Sequence, residues 1–153
     1  MVMDEAAGRQ TIIALFRRTA QAMISDLVER IHAAGFEEMT EGLHPLFENV
    51  DAEGTRLTVL AARAEMTHQS MSELVQAASA RGLVERRPDP SDGRARLVCL
   101  TPRGRQMVMR AYREMARIEA EWSDHWAAAG FVGDMRSVLL SALREYKRQP
   151  GSA

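Results

Sequence analysis

Apolar residues recur at three- and four-residue spacing near the start of the chain: Ile12, Ile13, Phe16, Ala20, Met23, Ile24, Leu27, Val28 and Ile31. That period marks one face of an α-helix and predicts a single helix over about residues 9–34, ended by Gly35. Its apolar stripe is wide, so the helix wants more than one neighbour. A short second helix is expected at about 41–50, with Thr40 as N-cap and Leu43, Leu46, Phe47 and Val50 inward. Pro45 falls in or near its first turn, where a missing N–H costs little. Asp51-Ala52-Glu53-Gly54 reads as a turn. Thr55 is then placed as the cap of a third helix carrying Leu57, Val59, Leu60 and Ala64, which breaks near Glu65-Met66. Thr67 caps a fourth helix reaching Ala80 or Arg81, with Met71, Leu74, Val75 and Ala78 on one face, and Gly82 suits the position just past its end.

After Gly82 the period changes from helical to alternating. Residues 83–87 and 95–100 have strand character, and the turn-rich cluster Pro88-Asp89-Pro90-Ser91-Asp92-Gly93 between them predicts an antiparallel hairpin. Thr101-Pro102 opens a fifth helix running to about Ala128, since Thr caps well and Pro is preset for the first helical position. Gly130 breaks it, and a sixth helix is expected over about 131–148 with Val132, Met135, Val138, Leu139, Leu143 and Tyr146. The tail Gln149–Ala153 is expected to fray. The fold class is mainly α with a small β-hairpin, six helices in all.

Composition changes this picture through the distribution of charge. The formal net charge is only −1, yet Arg81 to Arg117 holds ten arginines against the four acids Glu85, Asp89, Asp92 and Glu114. Residues 37–53 instead carry six acids and no Lys or Arg. A GC-rich gene would explain nineteen arginines beside the single Lys147, but not their clustering. The asymmetry points to an anionic partner on one face. Cys99 is the only cysteine, which rules out an internal disulfide. No apolar run of membrane-spanning length and no secretory leader is visible, so the expected location is the cytoplasm.

Two short helices, a tight turn and a basic hairpin, in that order, make a winged helix-turn-helix. A helix fits the DNA major groove and its N-terminal turns reach base edges. Thr67, His68, Gln69, Ser70, Ser72 and Gln76 place short or amide-bearing polar groups on the fourth helix, though an ordinary capped, solvated face would look similar. The hairpin carries Arg86, Arg87, Arg94 and Arg96; arginine on a thin β-ribbon can enter a narrow minor groove. Asp92 is expected to hold the Arg94 guanidinium in a bidentate pair. The expected DNA-binding set is Thr67, His68, Gln69, Ser70, Ser72, Gln76, Arg86, Arg94 and Arg96.

The run from Gly82 through Asp89-Pro90-Ser91-Asp92-Gly93-Arg94 to Thr101-Pro102-Arg103-Gly104 resembles the wing of the MarR family and its exit into the next helix. Met66 to Val75 resembles that family's recognition helix. The likeness in motif covers about residues 55–105, and the helix order extends it over nearly the whole chain. There is one departure: Gly93 stands where the family usually has the first of two arginines, while Arg94 keeps the second. The resemblance implies a homodimer built from 1–36 and 106–153, with 37–105 as the DNA-binding lobe. The apolar surplus of the terminal helices supports dimerisation independently. A two-fold dimer would read a pseudo-palindromic operator in double-stranded DNA. The resemblance further implies a repressor released by a small aromatic or phenolic effector, with Phe16, His44, Phe47 and Tyr112 in the corresponding region; taken residue by residue, each reads first as a plain core aromatic.

No other chemistry is expected. The histidines His32, His44, His68 and His125 lack helical metal-ligand spacing, so no metal or other cofactor is anticipated. No nucleophile elbow, phosphate loop or HExxH motif suggests an enzyme. Trp122, His125 and Trp126 read as packing on the fifth helix, and Cys99 as a small buried filler. Two alternatives compete with DNA binding. One is a winged-helix protein-interaction module. The other is the dimerisation part of a small-molecule methyltransferase, disfavoured on the expectation that a chain ending at Ala153 leaves no room for a catalytic domain.

Overall fold

The computed structural model describes residues 11–148; the expected first helical residues 9–10 and the tail 149–153 lie outside it. Among the described residues, six α-helices and three strands follow one another: α1 Ile12–Ala33, a 3₁₀ turn Glu41–Leu43, α2 His44–Asn49, β1 Thr55–Arg56, α3 Leu57–Arg63, α4 His68–Ala80, β2 Val84–Asp89, β3 Asp92–Leu100, α5 Pro102–Ala128 and α6 Met135–Arg148. The chain forms two compact units that divide between Met115 and Ala116, inside α5. Among the described residues, no helix is long and apolar enough to cross a membrane.

The N-terminal unit folds around a core whose members come from nearly every element. Leu27, Val28 and Ile31 of α1, Leu46 and Phe47 of α2, Leu60 of α3 and Met71, Val75 and Ala78 of α4 are all buried. Leu83, Val84, Val98 and Leu100 of the sheet region join them with Met107 and Val108 of α5. The first half of α1 behaves differently. Ile12, Ile13, Leu15 and Phe16 are exposed in the single chain, although they continue the same apolar stripe.

Helix boundaries follow local chemistry. Thr11 caps α1, Thr67 caps α4 by accepting the Ser70 N–H at 3.1 Å, and Thr101 caps α5 by accepting the Gly104 N–H at 3.0 Å. Gly82 adopts φ +71° just beyond α4, and the Leu83 N–H returns to the Ala78 carbonyl. Gly104 is required by packing: an added Cβ would lie 2.0 Å from the Leu83 carbonyl oxygen, so α5 leaves the sheet against bare backbone.

Four sequence expectations are corrected. The helix at 41–50 is divided, because Pro45 has no N–H to donate back to Glu41; a 3₁₀ turn precedes α2. Thr40 flanks that turn without a side-chain capping bond. Thr55 is no cap at all. It is buried in β1, its hydroxyl accepting the Asp51 N–H at 2.8 Å, and Arg56 occupies the N-cap position of α3. The last helix starts at Met135 rather than 131, because the Asp134 carboxylate accepts the Arg136 and Ser137 N–H groups and ends the preceding turn.

The sheet therefore has three antiparallel strands in the order β1-β3-β2, one more than the hairpin expected. Thr55 pairs with Val98 and Arg56 with Leu97. On the other side β2 pairs regularly from Val84–Leu100 to Pro88–Arg96. The next residue, Asp89, pairs with Asp92. Residues 93–95 thus have no partners on β2 and bulge from the ladder, carrying Arg94 at the centre. Pro88 is tolerated because β2 is an edge strand.

In the C-terminal unit, Ile118 is fully buried, and the Trp122 ring lies 5.9 Å from both His125 and Trp126, as packing aromatics do. On α6, Val138, Leu139, Leu140, Leu143 and Tyr146 are exposed.

Candidate nucleic-acid interface

The N-terminal end of α4 is capped and polar. The Thr67 hydroxyl closes the first turn through the Ser70 backbone and also donates to the Ser70 hydroxyl at 2.9 Å. Thr67, His68, Gln69 and Gln76 are exposed, while Ser70 and Ser72 are half-buried. The Gln69 amide donates to Glu73 at 2.8 Å one turn further on. Glu73 was outside the expected set. Its signal in the sequence is the four-residue spacing from Gln69, and a carboxylate there can accept from a cytosine amino group.

The structure sorts seven of the ten clustered arginines, those of the wing and its flanks, by their partners. Arg87 is held by Glu85 at 2.9 Å, Arg103 by Glu38 at 2.8 Å and Arg110 by Glu114 at 2.9 Å. Arg103 also lies 4.3 Å from the Phe36 ring centre, fastening the start of α5 to the segment after α1. The Arg103 guanidinium beside Glu38 pulls that carboxyl below its ordinary range, and backbone hydrogen bonding adds to the effect. Arg81 donates to the Ala77 carbonyl. By contrast, Arg86, Arg94 and Arg96 are exposed, and no hydrogen bond or ion pair among the described residues occupies their guanidinium groups. These three are available to an external anion.

The expected Asp92–Arg94 side-chain pair does not form. Asp92 instead accepts the backbone N–H of Arg94 at 3.1 Å, and its other oxygen lies 3.8 Å from Arg56 Nη2. Local turn geometry wins because the residue two positions on presents its N–H before its side chain can fold back. The residues that organise the tip were not anticipated. Asp89 is buried at the end of β2, where one oxygen accepts the Ser91 N–H at 2.8 Å and the Ser91 hydroxyl at 2.6 Å. Its other oxygen accepts a hydrogen bond from Arg56 Nε at 2.7 Å and lies 2.6 Å from Nη2 of the same guanidinium in an ion pair. Ser91 first and Arg56 second hold the Asp89 carboxyl down at about 2. The Asp-Pro-Ser turn was legible in the sequence; the arginine 33 residues earlier was not.

A groove of about 390 Å³ lies between α4 and β2, lined by Val75, Gln76, Ser79, Ala80, Glu85 and Arg86. It joins Gln76 and Arg86 of the expected set in one surface. The four residues assigned to an effector are placed differently. Phe47 is in the core, His44 is half-buried with Nδ1 3.8 Å from Glu48, and Phe16 and Tyr112 stand exposed. Within one chain they do not form an enclosed site. Cys99 is buried, as expected of a filler. No metal-binding cluster occurs among the described residues.

Residues 45–95 match the model of the MarR family. The segment spans α2 to the wing bulge, the part of the chain where the helix-turn-helix and hairpin lie. That segment is similar to the MarR family's winged helix-turn-helix. Solved MarR-type structures extend the likeness of fold over nearly the full length. The PcaV transcriptional regulator of Streptomyces coelicolor, solved with its natural ligand, is 24% identical with a TM-score of 0.64, covering 96% of this chain and 97% of that one. CouR of Rhodococcus jostii RHA1, bound to p-coumaroyl-CoA, is 19% identical with a TM-score of 0.69, covering 94% and 96%. The transcriptional repressor CouR bound to a 23-mer DNA duplex is 21% identical with a TM-score of 0.63, covering 97% and 100%. No curated protein matches the chain. The MarR-family proteins it resembles are transcription regulators, some of them ligand-bound.

Proposed function

We propose that this protein is a cytoplasmic transcription regulator that binds a pseudo-palindromic operator as a homodimer. The observation that carries the reading is the contrast among the arginines: of the four on the hairpin, Arg86, Arg94 and Arg96 are exposed with no partner among the described residues, while Arg87, like Arg103 and Arg110 beyond the wing, is paired with a carboxylate. In this reading the α4 N-terminus, with Thr67, His68, Gln69, Ser70, Ser72 and Gln76, enters the major groove. Arg94 on the bulge enters the adjacent minor groove, and Arg86 and Arg96 flank it on phosphates. The second copy packs through the exposed apolar residues at the start of α1 and along α6.

The regulator acts as a repressor released by a small aromatic or phenolic ligand. The solved neighbours PcaV and CouR, with their bound ligands, support this part. Phe16 and Tyr112, exposed in the single chain, are the aromatics available to such a ligand once a second copy covers them. The ligand must bind better to a DNA-incompetent arrangement, since equal affinity for both arrangements shifts nothing.

The test is selection of duplexes from a random-sequence pool, followed by fluorescence anisotropy over a range of salt. Enrichment of an inverted repeat, with affinity falling steeply as salt rises, is expected of phosphate contacts. A chain that selects no sequence and shows no salt-dependent binding would instead be a winged-helix protein-interaction module.

A further inference from the structure

The wing tip is built to a more demanding pattern than a solvated turn requires. Asp89 accepts three hydrogen bonds, two from Ser91 and one from Arg56 Nε, with Arg56 Nη2 in an ion-pair contact beside them, and is buried although it sits at the end of an exposed hairpin. Arg56 belongs to a different strand and is the N-cap residue of α3, the first helix of the helix-turn-helix. The pair therefore connects the base of that motif to the point where the ladder slips from Pro88–Arg96 to Asp89–Asp92. That slip is what releases residues 93–95 as a bulge. Asp92, on the far side of the slip, faces the same guanidinium and also holds the Arg94 N–H.

The geometry points to Arg56 and Asp89 as positioning residues for DNA reading: together they latch the wing tip to β1 and so fix the direction in which the bulge presents Arg94. This inference rests on the proposed DNA-binding function. Neither side chain needs to touch DNA. The Arg56 guanidinium is committed to carboxylates, and Asp89 is an anion that a phosphate backbone would repel.

That last point gives the latch a prediction opposite in sign to simple electrostatics. If only net charge mattered, Asp89→Asn would remove a negative charge from a DNA-facing lobe and tighten binding. A latch requires the reverse. Asn at 89 loses the charge-assisted bonds from Arg56 and frees the bulge, weakening binding roughly tenfold, the scale of losing one charge-assisted hydrogen bond. Arg56→Lys keeps the charge but cannot supply two nitrogens to one carboxylate oxygen, and it should weaken binding with the salt dependence unchanged.

The experiment measures affinity of the full chain for the duplex that the wild-type chain selects from a random pool. The variants are Asp89→Asn, Arg56→Lys and Arg94→Ala, each also combined as Asp89→Asn/Arg94→Ala and Arg56→Lys/Arg94→Ala. Because the latch works through Arg94, its loss should matter in the wild-type background and have little effect once Arg94 is gone. Effects that simply add, or an Asp89→Asn variant that binds as well as or better than wild type, overturn the latch. Should Asp89→Asn fail to fold, the Arg56→Lys cycle decides alone, and wild-type affinity in Arg56→Lys overturns the latch. Absence of binding by the wild-type chain defeats the DNA-binding reading itself. Normal binding weakened by Arg94→Ala, with no coupling to Asp89 or Arg56, defeats only the latch.

Discussion

An arginine's position in the sequence says little about its availability; its partner decides. Arg87 and Arg86 are neighbours on β2, yet Glu85 occupies the first and nothing described occupies the second. Arg94→Ala should therefore cost operator binding about 1–3 kcal/mol, as expected for an arginine read into a groove. Arg144→Ala, on exposed α6, should leave affinity within experimental error in the same anisotropy assay. Equal losses at both positions would mean that the wing has been wrongly assigned. Gly104 carries a second prediction at this scale. An alanine methyl would collide with the Leu83 carbonyl oxygen at 2.0 Å, and backbone there cannot step aside as a flexible side chain could. Gly104→Ala should destabilise the chain by about 1–3 kcal/mol or more, read from the midpoint of urea unfolding. The sequence showed Gly104 as part of a family-like run, but the reason for a glycine there is its close approach to Leu83, far back along the chain on the other side of the hairpin.

The elements were largely legible because helices advertise their period and their caps. Thr67, Thr101, Gly35, Gly82 and Gly130 mark boundaries that the structure keeps. The third strand was invisible for a physical reason. Two residues cannot display an alternation, and Thr55 has equally good standing as a cap and as a β-branched strand residue. Only pairing with Val98 and Leu97 makes β1 a strand. The wing's pH response belongs to this scale. In the folded chain the Asp89 carboxyl is held at about 2, below its ordinary value of 3.8. A depressed carboxyl contributes its stabilisation fully above the unfolded value and loses it as pH falls through the folded one. Hydrogen exchange at the Ser91 amide, which Asp89 holds, should therefore show an intact tip down to about pH 4, with protection lost progressively as the pH approaches 2. Opening of the tip between pH 5 and 7 would be incompatible with that ion pair.

At the scale of the whole molecule, the apolar residues left outside are as informative as those inside. Ile12, Ile13 and Phe16 continue the stripe that buries Leu27 and Ile31, and Leu139, Leu140 and Leu143 form a comparable exposed set on α6. A stable single chain seldom leaves so much apolar surface in water. Leu143→Glu, which puts a charge where the second copy is proposed to pack, should shift the protein from dimer to monomer in sedimentation equilibrium while its helical circular dichroism is retained. Operator affinity should fall in parallel, because one recognition helix then binds without the other. A dimer unaffected by the change would place the self-association surface elsewhere.

Sequence alone determined the six helices, the basic hairpin and the polar first turn of α4, since each rests on periodicity, caps or turn residues within a few positions of one another. Tertiary structure decided which arginines are free, how β1 completes the sheet, and that Asp89 turns toward Arg56. Those outcomes depend on groups brought together from distant parts of the chain, and their pairing energies exist only after the backbone has closed the distance.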